Sequence, residues 1–147
     1  MLIDYFKLNK NVLIAFAVSI TFSAIIAQSL AEQEDYLNSF YTLIFDHLFY
    51  LSTFGGLYYL DNRKKYLLKS GKTDKEKLRH DLIKIITSLG ISEIIYSISR
   101  WWIQYYFLSI EYDPYLASII SQVISIIIYM IALNMSVKMT RLYKDGN

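Results

Sequence analysis

Two stretches of the chain carry no charged residue at all, Asn11–Ala31 and Pro114–Val137. At ~1.5 Å of rise per residue, each is long enough as a helix to cross the ~30 Å hydrocarbon layer of a bilayer. Neither shows the polar stripe that a helix of a soluble bundle presents to water. Two less clean stretches lie between them. Asn38–Leu60 is apolar and aromatic apart from Asp46 and His47, and Leu82–Ile110 is interrupted by Lys84, Glu93 and Arg100. The pattern predicts an all-α membrane protein of four transmembrane helices in two hairpins. The spans are expected at about 11–31, 38–60, 84–108 and 114–137, within one integral-membrane domain, 1–147.

Charge in the connections bears on this independently. Of the fifteen Lys and Arg residues, all but Arg100 fall in the N-terminal tail, in the segment 61–84 or in the C-terminal tail with Lys138, Arg141 and Lys144. The other two connections hold Glu32, Glu34, Asp35, Glu111 and Asp113 and no basic residue. The positive-inside rule then predicts a plasma-membrane protein with both termini in the cytoplasm. Tyr36, Tyr41, Trp101, Trp102, Tyr105, Tyr106, Tyr112 and Tyr115 fall where the outer aromatic belt belongs. Ser29-Leu30-Ala31 has the small-residue look of a signal-peptide cleavage site, but the apolar run before it exceeds a typical signal core, so retention is expected.

The junctions are readable as well. Asp113-Pro114 is a cap followed by proline at the first helical position. Thr73-Asp74-Lys75-Glu76 has capping-box spacing and predicts that the third helix begins near Asp74, before the membrane. Gly71 is the natural end of the second helix. Helices two and three would therefore extend into a basic cytoplasmic hairpin, about 61–83, with Leu67 and Leu68 packed near Leu78 and Leu82. Its Arg63, Lys64, Lys65 and Lys69 are placed to meet anionic lipid headgroups, although ordinary solvated positive-inside charge is the favoured reading of them. Asp35-Tyr36-Leu37-x-Ser39 and Pro114-Tyr115-Leu116-x-Ser118 hint at an internal repeat of one hairpin.

Composition narrows the function. The chain is 54 % hydrophobic and 16 % aromatic, has no cysteine, and carries a formal net charge of +2, which excludes a disulfide scaffold or thiolate metal site and does not fit a nucleic-acid partner. Ionisable residues inside a span are the place to look for chemistry. Asp46, His47, Glu93, Tyr96 and Arg100 form a candidate intramembrane polar cluster, in which Arg100 pairs with Asp46 or with Glu93, seven residues away on its own helix face. The cluster reads either as glue between helices two and three or as a proton or substrate site. Asp46, His47 and Glu93 supply only one histidine, so no metal is expected. On the fourth helix, Ser118, Gln122, Ser125, Tyr129, Ala132 and Ser136 follow heptad-like spacing, the mark of a helix-packing stripe in lipid. No Walker loop, HExxH or GxSxG occurs, and nothing assembles a nucleophile with a base, so neither catalysis nor a cofactor is expected.

Asn62-Arg63-Lys64-Lys65-Tyr66 after the second helix, and Asn134 followed by Lys138, Arg141 and Tyr143 after the fourth, give the chain a look of its own. In these features it resembles the GtrA-like family of small four-span proteins. That resemblance implies handling of polyprenyl-phosphate-linked sugars for cell-surface glycans. The residues themselves favour a different role, that of a non-catalytic accessory subunit. Such a chain packs in the bilayer against larger membrane partners, of respiratory, electron-transfer or membrane-oxygenase type, or against copies of itself. A small proton-coupled transporter using Asp46, His47 and Glu93 is the third reading.

Overall fold

The computed structural model describes residues 2–140, and side chains from 6 to 135 except that of Ser88. Arg141, Tyr143 and Lys144, and the side chains of Ser136 and Lys138, lie outside the described residues. The described chain is all helical: α1 Leu2–Ser29, α2 Asp35–Asn62, a 3-10 turn Arg63–Tyr66, α3 Lys75–Ser88, α4 Gly90–Ser109 and α5 Pro114–Thr140. α1 and α5 are long and apolar enough to cross a membrane over Phe6–Ser29 and Pro114–Met135. α3 and α4 qualify only when taken together as one bent pair, and α2 does not qualify. Composition therefore supports two spans, and up to three with the bent pair, where the sequence pattern predicted four.

The reason lies in where α2 and α4 keep their polar residues. The buried row of α2 is Asn38, Thr42, Asp46, Tyr50 and Phe54, and that of α4 is Ser92, Tyr96, Arg100, Gln104 and Leu108. Both advance strictly by four residues, the spacing of one ridge on a helix surface. Outward, α2 shows Phe40, Ile44, Phe45, Leu48 and Leu51, and α4 shows Ile91, Ile94, Ile98 and Trp102. A hydropathy average mixes the two faces and hides an exterior that is mostly apolar.

α1, α2, α4 and α5 form a ring in which α1 packs on α2 and α5, while α4 packs on α5 and α2. Neighbours run antiparallel: Ser19 meets Gln122 while Gln28 meets Tyr115, and Asn38 meets Gln104 while His47 meets Ser97. The two hairpins share a register. Leu8, Asn11, Ala15, Ser19, Ser23 and Ala27 of α1 are buried, and so, 81 positions later, are Leu89, Ser92, Tyr96, Arg100, Gln104 and Leu108. Asn38, Ser39, Thr42, Asp46, Tyr50 and Phe54 of α2 match, at a shift of 79, buried Ala117, Ser118, Ser121, Ser125, Tyr129 and Leu133. The shift of 79 also aligns the Tyr-Leu-x-Ser sequences, whereas at the shift of 81 buried Val12, Phe16 and Ala24 fall on Glu93, Ser97 and Tyr105, which are not buried. The interior is filled unequally, because small α1 residues stand where α4 carries Tyr96, Arg100 and Gln104.

The basic hairpin differs from expectation. α2 ends at Asn62 rather than at Gly71, and one 3-10 turn follows. Leu67 pairs with Thr73 across a tight loop, in which Gly71 takes φ +77°, a conformation that only glycine adopts freely. Leu67 and Leu68 are exposed; Tyr66 is the buried residue, its hydroxyl donating to Asp81 Oδ2 at 2.8 Å. α3 starts where the capping box placed it, with the Asp74 side chain accepting from the Lys77 N–H. The predicted third span is broken at Leu89 and Gly90, where α3 bends 59° away from α4.

Candidate functional site

Polar side chains from all four ring helices meet inside the bundle. Their centre is Asp46, fully buried on α2. Gln122 Nε2 of α5 donates to its Oδ1 at 2.6 Å and also to Ser19 Oγ of α1 at 2.7 Å. The Tyr96 hydroxyl of α4 donates to Oδ2, and Arg100 Nε stands 3.7 Å from the same oxygen. The arginine, also fully buried, spreads its remaining donors over Gln104 Oε1, Ser121 Oγ and, at 2.8 Å, Ser118 Oγ. Gln104 Nε2 passes the network on to Asn38 Oδ1 at 3.1 Å. Asn38 Nδ2 donates at 2.9 Å to the carbonyls of Ala27 and Leu30 at the end of α1, each of which also accepts a backbone N–H, from Leu30 and Gln33 respectively.

Both charges of the Asp46–Arg100 pair are removed from solvent and from lipid. Such a pair holds only when its other lone pairs and protons are met, and here amides, hydroxyls and a phenol meet most of them. Of the two pairings that the sequence left open, Arg100 takes Asp46. It leaves Glu93 to other partners because its head lies toward Gln104, on the far side from Glu93.

One layer further toward the basic end, each helix contributes one ring: Phe16, Tyr50, Tyr96 and Tyr129. Phe16 stacks on Tyr50 at 4.5 Å and meets Tyr96 and Tyr129 at 5.2 Å between centroids. Glu93 borders this layer. Its Oε1 accepts from the Tyr129 hydroxyl at 3.1 Å, and its Oε2 lies 3.9 Å from His47 Nδ1. His47 Nε2 reaches Ser97 Oγ at 2.8 Å, and the Tyr50 and Tyr129 hydroxyls stand 3.3 Å apart. Beyond the rings the core is mainly apolar, built of Leu8, Val12, Phe54, Leu89 and Leu133, with Asn11 and Ser92 buried beside them. The interior is thus polar toward the acidic end and mainly apolar toward the basic end.

The five candidate cluster residues divide in two. Asp46, Tyr96 and Arg100 belong to the closed network, whereas His47 and Glu93 stand beside it with side chains 29 % and 19 % exposed at the bundle surface. Among the described residues no three Asp, Glu, His or Cys side chains are grouped to hold a metal. In the α5 stripe Ser118, Gln122, Ser125 and Tyr129 are fully buried, Ala132 is half-buried, and the side chain of Ser136 lies outside the described ones. Arg63, Lys64 and Lys69 are exposed; Lys65 is also exposed but pairs with Asp81 at 2.5 Å. Lys65 and Tyr66 together hold the Asp81 carboxyl down at about 2.

Asn38, Thr42, Gln104, Ser19 and Ser121 complete the network and were not singled out from the sequence. The four-residue spacing Asn38–Thr42–Asp46–Tyr50 and Ser92–Tyr96–Arg100–Gln104 is the signal that could have found the α2 and α4 members. Nothing local marks Ser19. No protein-family model, curated protein or solved structure matches the chain.

Proposed function

We propose that the protein is a four-span, non-catalytic membrane subunit, with its acidic connections outside and both termini in the cytoplasm. The observation that carries this reading is the inversion of polarity across the bundle. Asp46, Arg100, Gln104 and Gln122 are fully buried, while between the helix ends the large exposed side chains of the four ring helices are apolar or aromatic, the exposed Lys7, Lys10 and Gln28 lying near the ends of α1. An exterior of that kind is stable in hydrocarbon and aggregates in water. It lets α2 and α4 cross despite their composition.

The polar residues supply a reason to look outward for function. Asp46, Tyr96, Arg100, Gln104 and Gln122 are engaged with one another, so they join helices rather than wait for a substrate. On the outer face of α2, exposed Ser52 and Gly56 stand four residues apart, and a Cβ added at Gly55 or Gly56 meets nothing within 4 Å. Small residues at that spacing let a second helix approach closely in lipid. The test is purification in mild detergent with the proteins that accompany the chain identified. Fixed stoichiometry with another membrane protein is expected; migration as a lone monomer overturns the proposal.

The lipid-linked-sugar reading stands second and rests on the resemblance alone. In the shared register Asn134 matches Gly55 and not Asn62, so its two asparagine motifs fall at non-equivalent places. The transporter reading draws on His47 and Glu93, whose part-exposed side chains lie beside the closed network.

A further inference from the structure

At the acidic end of the bundle, Tyr36 of α2 and Trp101, Trp102 and Tyr105 of α4 line a cavity of about 210 Å³. An aromatic belt needs no such arrangement. Here rings from two helices line a common space. Trp101 is tied in place by its indole N–H, which donates to the Tyr36 carbonyl at 3.5 Å. Trp102 is set at 54° to Trp101 and at 81° to Tyr105, with centroids 6.4 Å apart in both pairs. Ring faces turned in different directions around one volume form a cage rather than a stack. All four rings keep substantial exposure, so the space opens outward.

The surroundings select the charge of an occupant. Tyr36 follows Glu34 and Asp35, and Glu34 sits beside the Tyr36 hydroxyl and pushes its pKa up. No Lys or Arg occurs between Asn11 and Asn62, nor between Trp101 and Val137. Arg100, the one cation near by in sequence, is fully buried against Asp46. The cage therefore combines aromatic faces, which carry negative potential, with the Glu34 carboxylate beside one of its rings and no exposed basic residue.

From this geometry we infer that Tyr36, Trp101, Trp102 and Tyr105 form a binding site for a quaternary ammonium group, with Glu34 supplying the opposing charge. A quaternary ammonium is bulky, weakly hydrated and unable to donate a hydrogen bond. Aromatic faces suit it for those reasons, and a lone carboxylate suits it less well. The same headgroup chemistry reaches this depth either as the choline of a membrane lipid or as a free solute.

The chain has two tryptophans and both line the cage, so intrinsic fluorescence reports its occupancy directly. The full chain in phosphatidylglycerol nanodiscs is titrated with choline and, in parallel, with 3,3-dimethylbutanol, the uncharged isostere of choline. A saturable change with choline and none with the alcohol is expected. Tyr105→Leu leaves both reporters in place and removes an exposed ring; it is expected to weaken choline by about tenfold, while Tyr105→Phe binds as the parent does. Glu34→Gln is expected to weaken choline and leave the alcohol unchanged. Repeating the titration in phosphatidylcholine nanodiscs separates the sources. A signal already at its end point identifies the lipid headgroup, and an unchanged titration identifies the free solute. Equal response to choline and its neutral isostere, or no response to choline in phosphatidylglycerol, overturns the inference.

Discussion

Asp46 and Arg100 depend on each other because neither has solvent to fall back on. Replacing Asp46 by Asn keeps the shape and leaves the guanidinium buried without its counter-charge. We expect a loss of about 3 kcal/mol, read as thermal unfolding in detergent. The double variant Asp46→Leu/Arg100→Met is expected to recover most of that loss, because no charge then remains to be solvated. A melt of Asp46→Asn that matches the parent would sink this account. The two tyrosines of the ring layer differ in a way that separates them. Tyr129 serves Glu93 and Tyr50 at once, so Tyr129→Phe strands a carboxylate oxygen and is expected to lose about 1–3 kcal/mol. Tyr50→Phe leaves the Tyr129–Glu93 bond in place and is expected to lose less, the order being read from the same melts.

At the scale of elements, the 3-10 turn and α3 are joined by Asp81, Lys65 and Tyr66. The Asp81 carboxyl is held at about 2, below its ordinary 3.8, chiefly by the Lys65 hydrogen bond. A depressed carboxyl stabilises the fold above its unfolded pKa and loses that contribution as pH falls through the folded value. The hairpin is thus expected to keep its amide protection above pH 4 and to lose it between about 4 and 2, as followed by hydrogen exchange; Asp81→Asn should lack the transition. The Lys65 amine, raised by the same bond, keeps its charge on the alkaline side to beyond its ordinary 10.5, so the pair holds across the neutral range. On α2, Gly56 is exposed and a Cβ added there meets nothing within 4 Å, so Gly56→Leu is expected to leave the melt unchanged and to lose the proposed partner on co-purification. A retained partner would move the contact to another face.

For the whole molecule the decisive question is which side each connection faces. The chain has no native cysteine, so single cysteines can be introduced without a background. With Gln33→Cys and Tyr112→Cys, labelling by a membrane-impermeant maleimide on intact cells is expected. With Ser70→Cys it is expected only after permeabilisation. Labelling of Ser70→Cys on intact cells would overturn the proposed four-span topology. In the proposed four-span topology, crossing of α2 and α4 would depend on the ring closing, because only then do their polar rows face inward. An isolated α2 would expose Asn38, Asp46 and Tyr50 to lipid, so the two hairpins are expected to fold as one unit rather than separately.

The sequence by itself determined what a running average or a local spacing can carry. Those features are the two charge-free helices, the split of basic and acidic connections, the start of α3 at its cap, and the buried Ser118–Gln122–Ser125–Tyr129 stripe. Each depends on residues close together along the chain. What only the tertiary structure decided was which distant residues meet. Arg100 chooses Asp46 over Glu93 because α2 and α5 close around it, and Ser19 becomes a partner because α1 lies against Gln122. The bend at Leu89–Gly90 divides a helix whose composition reads as continuous. The apolar exterior of α2 emerges only when its two faces are separated, since the segment's average mixes what the fold keeps apart.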